Sequence, residues 1–288
     1  MFESLAEICT YCKEKDVDFF KAILDDDCRE NGRTEEASLN QMRAILTAMK
    51  ESVENYDPEL FSSSGLVGTE AEKLRKAKVS GKLISGDFIS DVMEKALKVS
   101  ESNACMKRIV AAPTAGSCGV VPAVLITYQE YYNCSDEDMI KSIYVSAGIG
   151  EIIAKRASIA GAAGGCQAEI GSASAMAAGA LTYLRGGSAE DICNSAALAL
   201  KNLLGLACDP VAGLVEVPCV KRNVMGSVNA VTSSDLTASG IYSKIPPDEV
   251  IDAMKAIGKN MSDTIKETAN GGLAATPTGE KIKESISI

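Results

Sequence analysis

The sequence predicts a mainly α-helical protein, a single helical catalytic domain over residues 1–288 with few short strands. Leucine, isoleucine, phenylalanine and methionine recur at three- and four-residue spacing, as in Met42, Leu46 and Met49, which is the period of a helix with one buried face. Strand signals are few, and no alternating βα pattern argues for a parallel sheet. With 46% hydrophobic and 24% charged residues, the 288-residue chain can bury a large core.

The first half of the chain divides at small polar residues and glycines. Residues 1–56 are predicted to be helical, and a Ser- and Gly-rich break follows at 61–68. Two further helices are expected from about Glu70 to Lys78 and from about Asp87 to Ser100. The apolar run 108–112 is interpreted as a strand, and a helix is expected from the end of the 113–119 loop to about Tyr132.

The second half contains clear helix start and stop signals. Ser135 with Asp138, and Ser188 with Asp191, have the spacing of capping boxes that open long helices. The most apolar stretch, 157–184, is built of Gly, Ala and Ser and predicts a tightly packed buried helix pair. Further boundaries are expected from proline and glycine: an interruption at 208–213, a new element at 217–219, a final helix from the Pro246-Pro247 pair to about Thr268, and a tail at 269–279.

Composition excludes several classes of function. A net charge of −10 argues against a nucleic-acid surface, which requires clustered Lys and Arg. The N-terminus has no basic and apolar signal segment, and Gln167 and Glu169 interrupt the most apolar stretch, so neither secretion nor a membrane span is expected. We therefore expect a cytoplasmic protein whose cysteines are reduced thiols or metal ligands.

The chain has ten cysteines and no histidine. The absence of histidine removes Ser-His-Asp and Cys-His nucleophiles, and mixed Cys/His metal sites, from the chemistry that this chain can perform alone. The remaining soft ligand is thiolate, which suits zinc, copper(I) and iron–sulfur clusters. Acid–base chemistry must then come from Lys, Glu, Asp, Tyr, Cys or a partner chain.

Three cysteines stand in contexts that differ from the rest. Cys166 follows a glycine-rich segment, Cys208 precedes Asp-Pro at a helix end, and Cys219 precedes the basic pair Lys221 and Arg222. Glycines allow a bulky inorganic group to approach the backbone, and basic neighbours stabilise thiolates. Sequence physics leaves two readings open, a cluster site or three buried thiols. Cys9-x-x-Cys12 is interpreted as two packed thiols, and the isolated Cys28, Cys105, Cys134 and Cys193 are interpreted as core or surface thiols without a role. Cys118 lies in a loop that is itself a candidate site.

Two loops have the composition of anion-binding sites. Thr114-Ala-Gly-Ser-Cys-Gly119 precedes a predicted helix N-terminus, where small side chains and the helix dipole favour a carboxylate or phosphate. No Walker-type lysine follows, so a nucleotide is disfavoured. A tight turn is the alternative reading. Ser62-Ser63-Ser64-Gly65 is a second candidate by the same logic, or only a loop.

Several of these segments together resemble the α chain of the bacterial iron–sulfur-dependent L-serine dehydratases (L-serine ammonia-lyases). The most specific block is Cys208-Asp-Pro-Val-Ala-Gly-Leu-Val-Glu-Val-Pro-Cys219, with its cysteines eleven positions apart. The resemblance extends over residues 62–280 and is carried by five segments: 64–73, 112–124, 165–171, 208–223 and 271–279.

The resemblance implies an oxygen-sensitive 4Fe–4S cluster held by Cys166, Cys208 and Cys219, with one iron open to substrate and no pyridoxal phosphate. It implies β-elimination of L-serine to pyruvate and ammonia, with the open iron as Lewis acid for the hydroxyl. Such a reaction belongs to amino-acid degradation and gluconeogenesis. We expect neither the additional domain nor the terminal cysteine of single-chain relatives, which makes the chain similar to the two-chain type, whose separate β chain carries a Ser-Ser-Ser-His motif.

The residues that would act on the substrate are less sharply indicated. Lys73, Glu169 and Lys221 are the candidate bases for the α-proton. We expect Thr114, Ala115, Gly116 and Ser117 to hold the substrate, with Ser62, Ser63, Ser64 and Gly65 facing them and with Arg222 and Asn223 contacting cluster or substrate.

Three alternatives to L-serine deamination stay open at this point. A cysteine desulfidase would eliminate sulfide at the same cluster, and L-threonine would have to fit an additional methyl group. A different class of protein is an iron–sulfur redox or iron sensor, although the acidic charge argues against a DNA-binding sensor.

Overall fold

The computed structural model describes residues 2–286, and this part of the chain is an assembly of helices. Thirteen α-helices form within it: α1 Leu5–Lys15, α2 Phe19–Asn31, α3 Glu35–Glu54, α4 Glu70–Val79, α5 Gly86–Ala104, α6 Val120–Tyr132, α7 Asp136–Arg156, α8 Gly161–Gly164, α9 Ser172–Leu184, α10 Ala189–Lys201, α11 Cys219–Ala238, α12 Pro247–Asn260 and α13 Pro277–Ile286. None of these helices is long and apolar enough to cross a membrane. The predicted mainly α class is confirmed.

Local capping explains where many helices begin. Ser135 and Ser188 form the two predicted capping boxes, each accepting a hydrogen bond from the backbone N–H of the aspartate three residues later. Ser4, Asp18 and Thr34 cap α1, α2 and α3 in the same way. These side chains satisfy backbone donors that a helix N-terminus otherwise leaves unpaired.

Helix α9 occupies the centre of the fold and packs against α6, α7, α10 and α11. Its sequence is almost entirely alanine, glycine and serine up to Leu181, and these residues are buried. Small side chains allow neighbouring helices to approach closely: a Cβ built on Gly179 would lie 2.2 Å from Ile149 Cδ1 of α7. The 157–184 stretch thus forms the short helix α8, a π-helical turn at Gln167–Gly171 and α9.

The strand predicted at 108–112 does not form. Ile109 and Val110 instead pack half-buried against the helical core. A strand requires a paired neighbour, and residues 2–286 contain only two isolated bridges, Phe61 with Gly68 and Cys208 with Lys266. The apolar character of this run therefore reflects packing on helices.

The C-terminal region also differs from the prediction. Helix α12 ends at Asn260 rather than near Thr268, because Met261 adopts an extended backbone and Ser262 caps a separate 3-10 turn. The tail then folds into a 3-10 turn at Gly272–Ala275 and into α13, which the sequence analysis missed. Two local signals explain why α13 begins here. Pro277 occupies the first helical position, and the Thr276 hydroxyl before it accepts a hydrogen bond from the Gly279 N–H.

Candidate active site

The three predicted cluster cysteines lie on three elements that surround the start of α9. Cys166 immediately precedes the π-helical turn, Cys208 lies in the loop after α10, and Cys219 is the first residue of α11. Their exposed fractions are 2%, 3% and 8%, so all three thiols are buried. Gly165 places Cys166: its φ is +75°, and a Cβ on it would lie 2.8 Å from the Leu206 carbonyl oxygen.

The thiols interact with one another and with one guanidinium. A hydrogen bond from Cys208 lowers the pKa of Cys166, and the positive charge of Arg222 lowers it further. The same contact and burial raise the pKa of Cys208. Burial raises the pKa of Cys219 to about 12, and the charges of Cys166 and Glu169 contribute. No three acidic or thiol groups in the described residues converge as they would around a single metal ion.

The segment after α12 fixes the backbone on both sides of Cys208. The Cys208 N–H donates to the Ile265 carbonyl at 2.8 Å, and the Glu267 N–H donates to the Cys208 carbonyl at 2.8 Å. This short parallel bridge joins residues far apart in the sequence. Two backbone hydrogen bonds therefore fix the position of this loop cysteine.

Arg222 and Asp209 form a buried ion pair beside the thiols. The Arg222 guanidinium donates to Asp209 Oδ1 at 2.8 Å and to the Ala207 carbonyl at 2.7 Å. The other carboxylate oxygen of Asp209 accepts from the Leu273 N–H at 2.8 Å. Gly272 permits this contact: its φ is +59°, and a Cβ there would lie 2.4 Å from Asp209 Oδ2. Through Asp209, the glycine-rich tail thereby orients the Arg222 guanidinium, which interacts with Cys166.

Glu169 joins the thiols to the predicted anion loop. Its Oε2 lies 3.7 Å from Cys208 Sγ, and its Oε1 accepts from Thr114 Oγ1 at 2.7 Å. Glycines line the carboxylate, since a Cβ on Gly161 would lie 2.7 Å from Oε2 and one on Gly116 3.1 Å from Oε1. Burial raises the pKa of Glu169, the nearby charge of Glu267 raises it further, and the Thr114 hydrogen bond opposes the shift. The π-helical turn that carries Glu169 is a distortion often found at functional sites.

The Thr114 loop forms a 3-10 turn, Ala115–Ser117, stabilised by its own hydroxyls. Thr114 and Ser117 make a reciprocal capping box with their Oγ atoms 3.1 Å apart. Ala115 is exposed, and its carbonyl accepts from the Asn103 side chain at 3.2 Å. The turn therefore presents a preformed arrangement of small residues against Glu169.

Asn223 ties this loop to α11. Its Nδ2 donates to the Gly116 carbonyl at 2.8 Å and to the Cys219 carbonyl at 3.0 Å, while its Oδ1 accepts from the Gly119 N–H at 2.9 Å. The side chain is buried and its amide is engaged by backbone groups. The contacts present position the loop relative to Cys219, and direct contact with substrate stays a prediction.

The serine-rich segment approaches the same loop through Glu216. The Ser62 hydroxyl donates to Glu216 Oε2 at 2.9 Å, and the Ser64 hydroxyl donates to the same oxygen. Val215, the residue before Glu216, lies beside Gly116. Ser63 and Gly65 are exposed at the tip of this segment. The Ser62–Gly65 segment is thus bound to Glu216, while its position facing the 114–117 turn and its role in binding substrate stay predictions.

The three candidate bases occupy different environments. Lys73 is exposed on α4. Lys221 is also exposed, and its ammonium pairs with Glu70 at 2.6 Å. Glu169 is the candidate that contacts both Cys208 and Thr114. By position, Glu169 is therefore the strongest of the three candidate bases.

Sequence reasoning missed Asp209, Glu216 and Glu267. In the sequence Asp209 marks the end of a helix, but a carboxylate between two candidate cysteines is itself a signal of a site. Glu216 interrupts the apolar run Leu214 to Val217, which also marks a buried acid in need of partners. The approach of Glu267 depends on tertiary contacts and has no local signal.

Comparison with known proteins identifies the family of the chain. The family model described as serine dehydratase alpha chain matches residues 14–274. A probable L-serine dehydratase alpha chain of Bacillus subtilis is 46% identical, covering 99% of this chain and 95% of that protein. The L-serine dehydratase alpha chain of Peptoniphilus asaccharolyticus is 40% identical over 99% of this chain and 98% of its own length. An L-serine dehydratase of Escherichia coli is 43% identical over 72% of this chain but only 47% of that protein. This chain belongs to the serine dehydratase alpha chain family.

Proposed function

We propose that this chain is the α subunit of an L-serine dehydratase, which converts L-serine to pyruvate and ammonia. The observation that carries the proposal is the position of Glu169, between the Cys208 thiol and the hydroxyl of Thr114. A carboxylate with a raised pKa can act as a base, thiols can hold iron that activates a hydroxyl, and a turn of small residues can bind a carboxylate. Together these groups can support β-elimination from a hydroxy amino acid.

We further propose that Cys166, Cys208 and Cys219 hold a 4Fe–4S cluster. The donor set fits such a group, because all three thiols are buried, Cys166 interacts with both Cys208 and Cys219, and the Arg222 charge offsets that of thiolates. The wall opposite Cys208 is free of side-chain bulk at Gly161, where a Cβ would lie 3.0 Å from the sulfur. When bound, the cluster supplies a Lewis acid for the β-hydroxyl of the substrate.

The chain's own residues account for binding and proton transfer. The 115–117 turn receives the substrate carboxylate, and Asn223 fixes the position of that turn. Glu169 removes the α-proton, which is consistent with a pKa raised toward neutrality, where a carboxylate is a better base. Loss of the hydroxyl leaves 2-aminoacrylate, whose imine tautomer is hydrolysed to pyruvate and ammonia.

A separate β chain completes the proposed enzyme. The relatives that match nearly their whole length carry the words alpha chain in their names, while the Escherichia coli relative is about twice the matched length. This chain contains no histidine. We propose that the β chain contributes one, and that oxidation of the cluster accounts for oxygen sensitivity.

The proposal is tested by anaerobic reconstitution with ferrous iron and sulfide, alone and with the β chain of the same organism. The expected result is about four iron atoms per chain, visible absorbance, and pyruvate from L-serine that requires the β chain. Cys166→Ala should lose iron and pyruvate together, whereas Cys134→Ala, a change at an isolated half-buried thiol, should retain both.

A different experimental result would contradict each part of the proposal. Equal iron binding by Cys166→Ala would remove Cys166 from the ligand set. Faster pyruvate formation from L-cysteine than from L-serine would assign a desulfidase, and iron binding without pyruvate from either substrate would favour a sensor. Full activity of the α chain alone would exclude a histidine supplied by the β chain.

A further inference from the structure

A second group of thiols lies where α1 meets α10, on elements that do not carry the candidate active site. Cys9 of α1 and Cys193 of α10 have their sulfurs 3.4 Å apart, although they are separated by 184 positions in the sequence. The sequence predicted that Cys9 and Cys12 pack on one helix face. In the structure Cys12 enters the core, and Cys9 contacts Cys193.

A cleft gives solvent access to this pair. Its volume is about 430 Å³, and Cys9 and Cys12 are both in its wall. Cys9 is half-buried, whereas Cys193 is 3% exposed. A small molecule entering the cleft therefore meets the Cys9 sulfur first, with the Cys193 sulfur directly behind it.

The two thiols are chemically unequal. A hydrogen bond from Cys193 lowers the pKa of Cys9, and the same contact together with burial raises that of Cys193. Burial also raises the pKa of Cys12, to about 12. Cys9 is thus the more nucleophilic sulfur, and Cys193 is a protonated neighbour within reach, which is the arrangement of an attacking and a resolving cysteine.

We propose that Cys9 and Cys193 are a thiol redox pair that hydrogen peroxide converts to a disulfide. The Cys9 thiolate attacks the peroxide bond to form a sulfenic acid, and the displaced hydroxide takes a proton from solvent to become water. The Cys193 sulfur then attacks the sulfenic sulfur, and its proton leaves with the hydroxyl as a second water. The two thiols lose two electrons and two protons, and one peroxide is reduced to two waters.

The charge of the cleft selects the oxidant. Asp16, Asp18 and Glu190 line it together with one basic residue, Lys13. A predominantly acidic wall repels anionic disulfides such as oxidised glutathione and admits a small neutral peroxide. The sulfurs must approach by only about 1.3 Å to reach disulfide bonding distance, which side-chain rotation at a half-buried helix face can supply.

The bond would fasten the N-terminal helix to the core of the molecule. The non-covalent attachments of helix α1 at this end include hydrogen bonds from the Leu5 and Ala6 N–H groups to Asp248 of α12. A covalent link across so many residues restricts the unfolded chain, so the oxidised protein should melt about 5 °C higher or more.

The test treats the full chain with stoichiometric peroxide, alkylates the remaining thiols and maps the peptides by mass spectrometry. The expected result is a linked pair of peptides containing Cys9 and Cys193, lighter by two hydrogens, with the rise in melting temperature. Oxidised glutathione should form this link at least tenfold more slowly. Cys9→Ser should abolish both the link and the rise, while Cys134→Ser should retain them.

A second variant separates chemistry from folding. Cys193→Ala keeps an apolar side chain at a buried position, and it should leave Cys9 as a sulfenic acid that dimedone traps. Independent alkylation of Cys9 and Cys193 after peroxide would overturn the proposal, as would preferential linkage of Cys9 to Cys12. Comparison with Cys9→Ser removes the contribution of the other thiols, which peroxide also oxidises.

Discussion

At the scale of single residues, Glu169, the proposed base, is a buried carboxyl whose ionised form is disfavoured by its surroundings. Burial and the neighbouring Glu267 raise its pKa, so the folded chain holds this proton more tightly than the unfolded chain does. The contribution of this carboxyl to stability therefore decreases as the pH rises above the unfolded value of about 4.3. At neutral pH the ionised side chain destabilises the fold, which is common at sites built for activity.

Glu169→Gln should separate stability from activity. The amide oxygen can still accept from Thr114, but it cannot take a proton and carries no charge. We expect a melting temperature above that of the parent chain at pH 7.5 and a loss of about 10²–10⁴-fold in kcat/KM for L-serine. Thermal unfolding and the pyruvate assay measure the two effects. A lower melting temperature would contradict the electrostatic interpretation, and retained turnover would exclude Glu169 as the base.

Glu267→Gln provides a matched change next to the same carboxylate. Removing the Glu267 charge lowers the pKa of Glu169, so the acidic limb of the profile of kcat/KM against pH should move to lower pH. Lys221→Gln, which removes an exposed charge paired with Glu70, should leave that limb unchanged. An equal displacement in both variants would assign the limb to another group.

At the scale of elements, short irregular segments position the site more than the long helices do. The 263–267 segment pairs with Cys208, and the Gly272–Ala275 turn orients Asp209 through the Leu273 N–H. Both segments follow α12, far from the cysteines in sequence. The glycine-rich end of the chain therefore acts as a brace for the loop between α10 and α11.

Gly272→Ala should weaken this brace. The alanine must adopt a φ near +59°, and its Cβ would collide with Asp209. We expect a loss of at least about 2 kcal/mol in the free energy of unfolding and weaker iron retention. Gly186→Ala is the control, because its φ of +80° is similar but its Cβ would meet nothing within 4 Å. Urea unfolding of both variants should show the smaller loss in free energy of unfolding, about 1 kcal/mol, for Gly186→Ala. Equal losses would show that Asp209 moves aside to accommodate the alanine without loss of stability.

At the scale of the whole molecule, α9 is the element around which the other helices assemble. Its small residues bring α7, α10 and α11 close. Two of the three candidate ligands lie beside it, since Cys219 begins α11 and Cys166 directly precedes the turn before α9. Packing density at this helix and the geometry of the site are therefore coupled. A substitution in the core of α9 should therefore displace the candidate cysteine ligands.

A double-mutant cycle at Gly179 and Ile149 tests this packing. Gly179→Ala gains roughly 0.5–1 kcal/mol of helix propensity but should lose roughly 1–3 kcal/mol to overpacking against Ile149 Cδ1. Ile149→Val removes that methyl group, so Gly179→Ala should become neutral or stabilising in its background. The coupling free energy from urea unfolding should be about 1 kcal/mol or more. If the two substitutions changed the free energy of unfolding additively, α7 and α9 would be able to move apart without loss of stability.

Much of the helical framework could be predicted because its signals are local. Apolar spacing, the capping boxes at Ser135 and Ser188, and the boundary at Cys219 are properties of a few consecutive residues, and the structure confirms them. The errors arose where local signals are ambiguous. An apolar run such as 108–112 suits a strand or a half-buried loop, and only the absence of a pairing partner decides between them.

The sequence by itself determined the helical class, the family-specific cysteine block and the exclusion of histidine chemistry within this chain. Only the tertiary structure distinguished Glu169 from Lys73 and Lys221, and placed Asp209, Glu216 and Cys193 against their partners. The physical reason is that local sequence sets backbone conformation, whereas burial, charge and proton affinity depend on residues brought together from distant positions. Glu169 meets Thr114 across 55 positions and Cys9 meets Cys193 across 184, and no local pattern encodes either contact.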